Sequence, residues 1–244
     1  MKVDATRRVK DVVAEFPLAA QIFERTGIDY CCGGEKSLQD ACNSAHVKVE
    51  EILQSIENAG ASASPQNQPT DWNQVPLSIL IQYIVEKHHA YCRNEQERLG
   101  TLLTKVVQVH GANHAELGRI QSLFTRMAKD LALHLMKEEN TLFPMILQME
   151  SAALRNEAMP RPSFGTIQNP VSMMILEHDE SGRALKEMRS LSQGYEPPDD
   201  ACASYRSLYQ GFKEFEQDMH EHIYIENYVL FPRTVSLEKH FAAR

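Results

Sequence analysis

The stretch His134-Leu135-Met136-Lys137-Glu138-Glu139-Asn140-Thr141-Leu142-Phe143-Pro144 returns 88 residues later as His222-Ile223-Tyr224-Ile225-Glu226-Asn227-Tyr228-Val229-Leu230-Phe231-Pro232. Both read H-x3-E-x3-L-F-P. A further histidine precedes each copy, His89 by 45 residues and His178 by 44. Residues four apart on a helix sit about one turn apart on the same face, so each His points the same way as its Glu. A helical unit used twice, bringing four His and two Glu together, is what a two-metal site in a four-helix bundle needs.

The apolar residues around each copy show which way these side chains point. Ile120, Phe124, Met127 and Leu131 lead into His134 and Glu138; Leu208, Phe212, Phe215 and Met219 lead into His222 and Glu226. Both series alternate by three and four, the seam of a bundle core. The His and Glu therefore stand where core residues would stand. A buried carboxylate is costly unless it is paired or bound to metal. One H-x3-E pair alone reads as a surface pair or a satisfied core pair. Two copies in register, each followed by L-F-P, do not.

Composition narrows the partners. The chain has 244 residues, 43% of them hydrophobic, and a net charge of −8. That charge and the lack of a basic run argue against nucleic acid. No apolar stretch reaches membrane-spanning length, and Met1-Lys2-Val3-Asp4 lacks the apolar core of a secretion signal. Five cysteines, an odd number, without such a signal read as reduced cytoplasmic thiols.

Strand signals are absent, and the sequence predicts an all-α protein. Residues 1–58 read as a small helical module, with short helices around Val9–Phe16, Leu18–Phe23 and Val47–Ile56 and a turn or helix start at Tyr30-Cys31-Cys32-Gly33-Gly34. The Ala-, Ser-, Pro-, Gln- and Asn-rich residues 59–71 read as a linker. Residues 72–244 carry four long helical patterns: from Pro76 past Leu103, from Ala115 to Met149, from Asn169-Pro170 to Leu191, and from Asp199-Asp200 to Leu237. Asn169-Pro170 has the chemistry of an N-cap followed by a first-turn proline.

Imidazole with carboxylate suits iron, zinc, copper or nickel. Four His and two Glu serve two metals only if something is shared, and carboxylates can bridge. Glu138 and Glu226 are the expected bridges, each metal taking two His, with oxo, hydroxo or solvent completing the coordination. Two iron ions are the most natural occupant. His178 lies on the inward line Val171, Met174, Leu185. On the first helix both His88 and His89 follow Ile81, Ile84 and Val85, and periodicity slightly favours His88. His220 lies about 200° round the helix from His222 and faces away. His46, His110, His114 and His240 have no repeat partner and read as surface or structural histidines.

The segments Asp29-Tyr30-Cys31-Cys32-Gly33-Gly34, His134-Leu135-Met136-Lys137-Glu138-Glu139 and Glu177-His178-Asp179-Glu180 resemble the Repair of Iron Centers family, the YtfE/ScdA-like proteins. The resemblance covers nearly the whole chain. It implies a hemerythrin-like up-down bundle behind an amino-terminal CCGG module, two iron ions, a cytoplasmic homodimer, and action on iron–sulfur proteins damaged by nitric oxide or peroxide. It places the first-helix ligand on His89, four residues before Arg93, beside His134, Glu138, His178, His222 and Glu226. It also implies acids near the centre at Asp130 and Glu177, with Asp130 set to orient His134 from one turn away.

The glycines after Cys31 and Cys32 let the backbone turn tightly and expose the thiols. A helix beginning there would lower their pKa and suit them to thiol exchange or iron transfer. Cys42, Cys92 and Cys202 read as ordinary buried thiols. The leading function is a di-iron stress protein that restores damaged iron–sulfur clusters by supplying iron, rather than a turnover enzyme. Two alternatives stand beside it. One is a nitric oxide or peroxide reductase, with Glu177 or Asp130 delivering protons. The other is a hemerythrin-like oxygen or gas sensor, against which the resemblance sets the greater His content of oxygen carriers.

Overall fold

The computed structural model describes residues 3–62, 71–160 and 164–242. Among them no strand forms, apart from an isolated bridge between Arg8 and Ser37. The chain divides into two compact units, Met1–Val75 with Ile223–Val229, and Pro76–His222 with Leu230–Arg244.

In the first unit, helices α1 (Val9–Glu15), α2 (Ala19–Thr26), α3 (Leu38–Ala45) and α4 (Val49–Ser62) follow one another closely. Each buries a narrow apolar stripe: Val9, Val12 and Val13 from α1, Ile22 and Phe23 from α2, Leu38 and Cys42 from α3. Gly27, at φ 70°, ends α2 in the left-handed conformation that glycine adopts without strain. The Ser37 hydroxyl accepts the Asp40 N–H at 3.1 Å and starts α3. His46 ends that helix at φ 58°. The Cys31-Cys32-Gly33-Gly34 stretch is a turn, and no helix starts at its glycines. A Cβ on Gly34 would lie 2.6 Å from the Tyr30 carbonyl oxygen, so the turn requires glycine there. Helix α4 runs past Ile56 through Ala59, where composition suggested a linker; residues 63–70 of that linker lie outside the described residues.

The second unit holds the four long helices, apart from Ile223–Val229 of the last. Three are interrupted by a π-helical turn. Helix α5 comprises Leu77–Tyr83, the π turn Ile84–His89 and Ala90–His110. Helix α6 comprises Glu116–Lys137, the π turn Glu138–Leu142 and Phe143–Leu154. Helix α7 is Gln168–Leu191 without interruption. Helix α8 comprises Ala203–Ile225, the π turn Glu226–Leu230 and Phe231–Ala242. The L-F-P motif accounts for two of these turns. Pro144 and Pro232 have no N–H to donate four residues back, and their rings would clash with the carbonyls of Asn140 and Tyr228 in an α-helix. Widening the preceding turn relieves the clash.

The pseudo-repeat extends to the helix ends. Glu150 on α6 accepts the N–H groups of Leu77 and Ser78 at 2.6 and 2.9 Å, capping α5. Glu238, 88 residues later on α8, accepts the Ile167 N–H at 2.9 Å and caps α7. A carboxylate at a helix amino terminus satisfies orphan donors and the helix dipole together. The α7 start departs from the sequence reading. The helix begins at Gln168, and the Asn169 amide donates to the Phe164 carbonyl instead of capping.

Helix α6 packs against α5 and α7, and the carboxyl-terminal part of α8 against that of α6. Phe124 sits at the centre of this core, its ring 5.2 Å from Phe212 and 6.1 Å from Phe215. Because it is buried on all sides, Phe124→Ala is expected to cost about 3–5 kcal/mol, read as a lower urea midpoint with helical circular dichroism retained before the transition.

Candidate metal centre

The helical framework carries four His and two Glu into a buried position. His89, His134, His178, His222, Glu138 and Glu226 are all buried. Their donor atoms form two groups of four, each with all atoms within 4.8 Å of one another: His89, Glu138, His222 and Glu226, and His134, Glu138, His178 and Glu226. The groups share both carboxylates. Each π turn lies at a member of the set. Glu138 opens one, Glu226 opens another, and His89 closes the third.

The π turn in α5 sets where His88 and His89 fall. An α-helical seam through Ile81 and Ile84 continues to His88. The i→i+5 turn takes up one more residue and carries His89 inward as well. His88 Nδ1 then meets Asp218 at 3.0 Å, and His88 belongs to neither four-residue group.

Acids outside the groups orient two of the imidazoles. His134 Nδ1–H donates to Glu177 at 2.9 Å, and Lys137 pairs with the other Glu177 oxygen. His89 Nδ1–H donates to Glu139 at 2.7 Å, and Arg93 pairs with the same carboxylate. With Nδ1 occupied, each Nε2 lone pair is left for the centre, the usual arrangement for a metal-bound histidine. The His134 hydrogen bond, with help from Lys137, holds the Glu177 carboxyl down to about 2. The Arg93 and His89 bonds outweigh burial and lower that of Glu139. Two rings wall the site: Phe143 stacks on His89 at 5.6 Å, and Phe231, its repeat counterpart, on His178 at 6.0 Å. This gives the phenylalanine of L-F-P its role.

Glu138 tests whether these residues suit a cation. Its side chain is 0% exposed, and neither oxygen accepts a hydrogen bond. His89 Nε2 and His134 Nε2 each lie 3.4 Å from Oε2. His178 Nε2 stands 3.0 Å from His134 Nε2. Anionic oxygen and lone-pair nitrogen converging in a dry core is a costly arrangement without a cation, and it matches the donor chemistry of borderline metals.

Asp130 does not take the orienting role expected of it. Its side chain is 56% exposed and lies 3.7 Å from Arg126. Glu177, reaching across from α7, meets His134 instead. Glu139 was missed because its position beside Glu138 puts it off the seam of its own helix; only the packing of α5 against α6 brings His89 to it. His220 lies 3.9 Å from Glu216 and joins neither group.

The cysteine pair also differs from expectation. Cys31 is buried and Cys32 only partly so. Asp29 Oδ1 accepts the N–H groups of Cys32 and Gly33, both at 2.9 Å. Cys31 Sγ lies 3.5 Å from that oxygen and 3.7 Å from Cys32 Sγ. The neighbouring thiol, then burial, then the Asp29 charge push the Cys31 thiol well above the usual range. A helix dipole cannot counter this, since none begins there. Asp29, Cys31 and Cys32 form a small donor cluster of their own within 4.8 Å. Cys42 and Cys92 are buried as expected, but Cys202 is exposed; it directly precedes α8.

Comparison with known proteins agrees with this architecture. Residues 80–234 match the hemerythrin HHE cation binding domain, and residues 5–60 match ScdA_N, described as a domain of unknown function. The iron-sulfur cluster repair protein ScdA of Staphylococcus haemolyticus is 32% identical over 225 residues, covering 91% of this chain and 95% of its own. YtfE of Escherichia coli O157:H7, an iron-sulfur cluster repair protein, is 32% identical over 228 residues, 93% and 96% of the two chains. A probable iron-sulfur cluster repair protein of Haemophilus influenzae is 32% identical over 233 residues, 95% and 98%. With both domains in this order and a match along almost its whole length, the chain belongs to the YtfE/ScdA family of iron–sulfur cluster repair proteins.

Proposed function

We propose that this protein restores iron–sulfur clusters damaged by nitrosative or oxidative stress, and that it does so by supplying iron from the buried His/Glu centre. One observation carries the reading: two four-residue donor groups share Glu138 and Glu226. His89 and His222 would hold one iron, His134 and His178 the other, with both carboxylates bridging. Iron bound there would supply redox chemistry. The chain's own residues set the terms of that binding. Glu139 and Glu177 orient His89 and His134, and Phe143 and Phe231 keep water from the rings. Cys31 and Cys32, with Asp29 beside them, are the candidate thiols for passing iron to a damaged iron–sulfur protein. Work in the cytoplasm as a homodimer fits the sequence reading and completes the proposal.

Metal analysis of protein from iron-replete cells is expected to give about two iron ions per chain; one per chain would overturn the shared-carboxylate arrangement. Glu177→Gln removes the anion that orients His134, so iron affinity is expected to fall by about 10–100-fold while the helices persist. His220→Ala is expected to leave iron content unchanged, and an equal loss there would show a wrong helix register.

Replacing both Cys31 and Cys32 by Ser separates transfer from storage. None of the six His and Glu is a cysteine, so the visible spectrum of the iron-loaded protein is expected to stay the same. Recovery of a nitric-oxide-damaged iron–sulfur enzyme is expected to fall sharply. Unchanged recovery would reduce the pair to a packing role.

A further inference from the structure

The far end of α5 carries a second cluster that the repair reading does not use. His110 closes α5, and His114 follows in the turn to α6, its N–H bonded to the His110 carbonyl at 3.0 Å. Asp200 and Cys202 arrive from the segment before α8. His114 Nε2 lies 3.0 and 3.2 Å from the two Asp200 oxygens, and His110 Nε2 lies 3.2 Å from Cys202 Sγ. Donor atoms of His110, His114 and Asp200 lie within 4.8 Å of one another. We infer that His110, His114, Asp200 and Cys202 form a second metal site, for a zinc-class divalent ion, roughly 30 Å along α5 from His89.

Donor type and geometry both favour such an ion. Two imidazoles, a carboxylate and a thiolate are a tetrahedral zinc set. With metal–ligand bonds of about 2.0–2.3 Å, tetrahedral ligands stand roughly 3.3–3.6 Å apart; His110, His114 and Asp200 already converge within 4.8 Å, and Cys202 Sγ, 3.2 Å from His110 Nε2 but outside that group, moves in to complete the set. His114 Nδ1 faces Glu116 at 3.2 Å, the partner that would hold its proton while Nε2 meets an ion beside Asp200. The buried Tyr205 ring backs both imidazoles, at 5.2 and 5.6 Å from their centres. A surface hydrogen bond would explain the His114–Asp200 pair alone. It would not explain a thiol held at a second imidazole beside it.

A bound ion would tie the α5–α6 turn to the start of α8. The ligands come as two close pairs, His110 with His114 and Asp200 with Cys202, 86 residues apart from His114 to Asp200, and the chain bears no H-x3-E signature here, so periodicity reads both histidines as ordinary.

The test uses the full, iron-loaded chain in a Cys31→Ser, Cys32→Ser background, which removes the other thiol cluster. Zinc titration is expected to fill one further equivalent per chain. That equivalent should disappear in His110→Ala with His114→Ala, while iron content and helical circular dichroism stay unchanged. Asp200→Asn should raise the zinc dissociation constant at least about tenfold. Cobalt(II) as a probe should give a thiolate charge-transfer band that Cys202→Ser abolishes, with the weaker cobalt bands retained. Equal zinc uptake with and without the two histidines overturns the site. A charge-transfer band that survives Cys202→Ser, or one that never forms, removes the cysteine from it.

Discussion

Glu138 is a carboxylate with no exposed surface and no hydrogen bond to either oxygen. Such a group in a protein interior is several kcal/mol in deficit unless a cation meets it. The four long helices supply that meeting point. Four imidazoles converge on it, a second glutamate shares it, and the orienting acids are themselves tied to Lys137 and Arg93 at the rim. The outer ion pairs cost little to hold because they are partly solvated. The inner carboxylates stand where a cation would offset their burial, in keeping with the cation binding domain that the chain matches.

The π turns are how the helices accommodate this. A regular α-helix that kept its apolar seam facing the core would present one inward residue per turn. The site asks α5 to turn His89 inward beyond its seam residue His88, and asks α6 and α8 to aim a carboxylate while passing a proline. Widening one turn does each of these at the cost of a strained hydrogen-bond ladder. The same proline that forces the wide turn fixes where Phe143 and Phe231 fall, against the histidines of the neighbouring helices. Carboxylate, breaker and wall are thus one local device, used twice.

The two clusters of cysteine differ in the same physical terms. Cys31 lies buried in a turn beside an aspartate and another thiol, all of which disfavour its thiolate. Cys202 stands exposed before a helix, where backbone N–H groups and an imidazole favour it. Sequence reading assigned them the other way round. It counted glycines as exposure and took a cysteine without a motif as core. Exposure of a thiol depends on what packs over it, which neighbouring residues in the chain do not report.

Much of the protein could be read from the chain alone. The doubled H-x3-E-x3-L-F-P, the flanking His89 and His178, and the three–four apolar seams identified an all-α bundle and six converging polar residues. These are matters of period, and helical period is written in sequence. Packing between helices is not. The meeting of His89 with Glu139, of His134 with Glu177 rather than Asp130, and of Glu150 and Glu238 with the starts of α5 and α7 all join residues more than forty positions apart. So does the meeting of His110 with Cys202. Sequence by itself determined which faces are buried and what chemistry they carry, because local geometry dictates both. Only the tertiary structure decided which acid holds which histidine, because that depends on how one helix is set against the next.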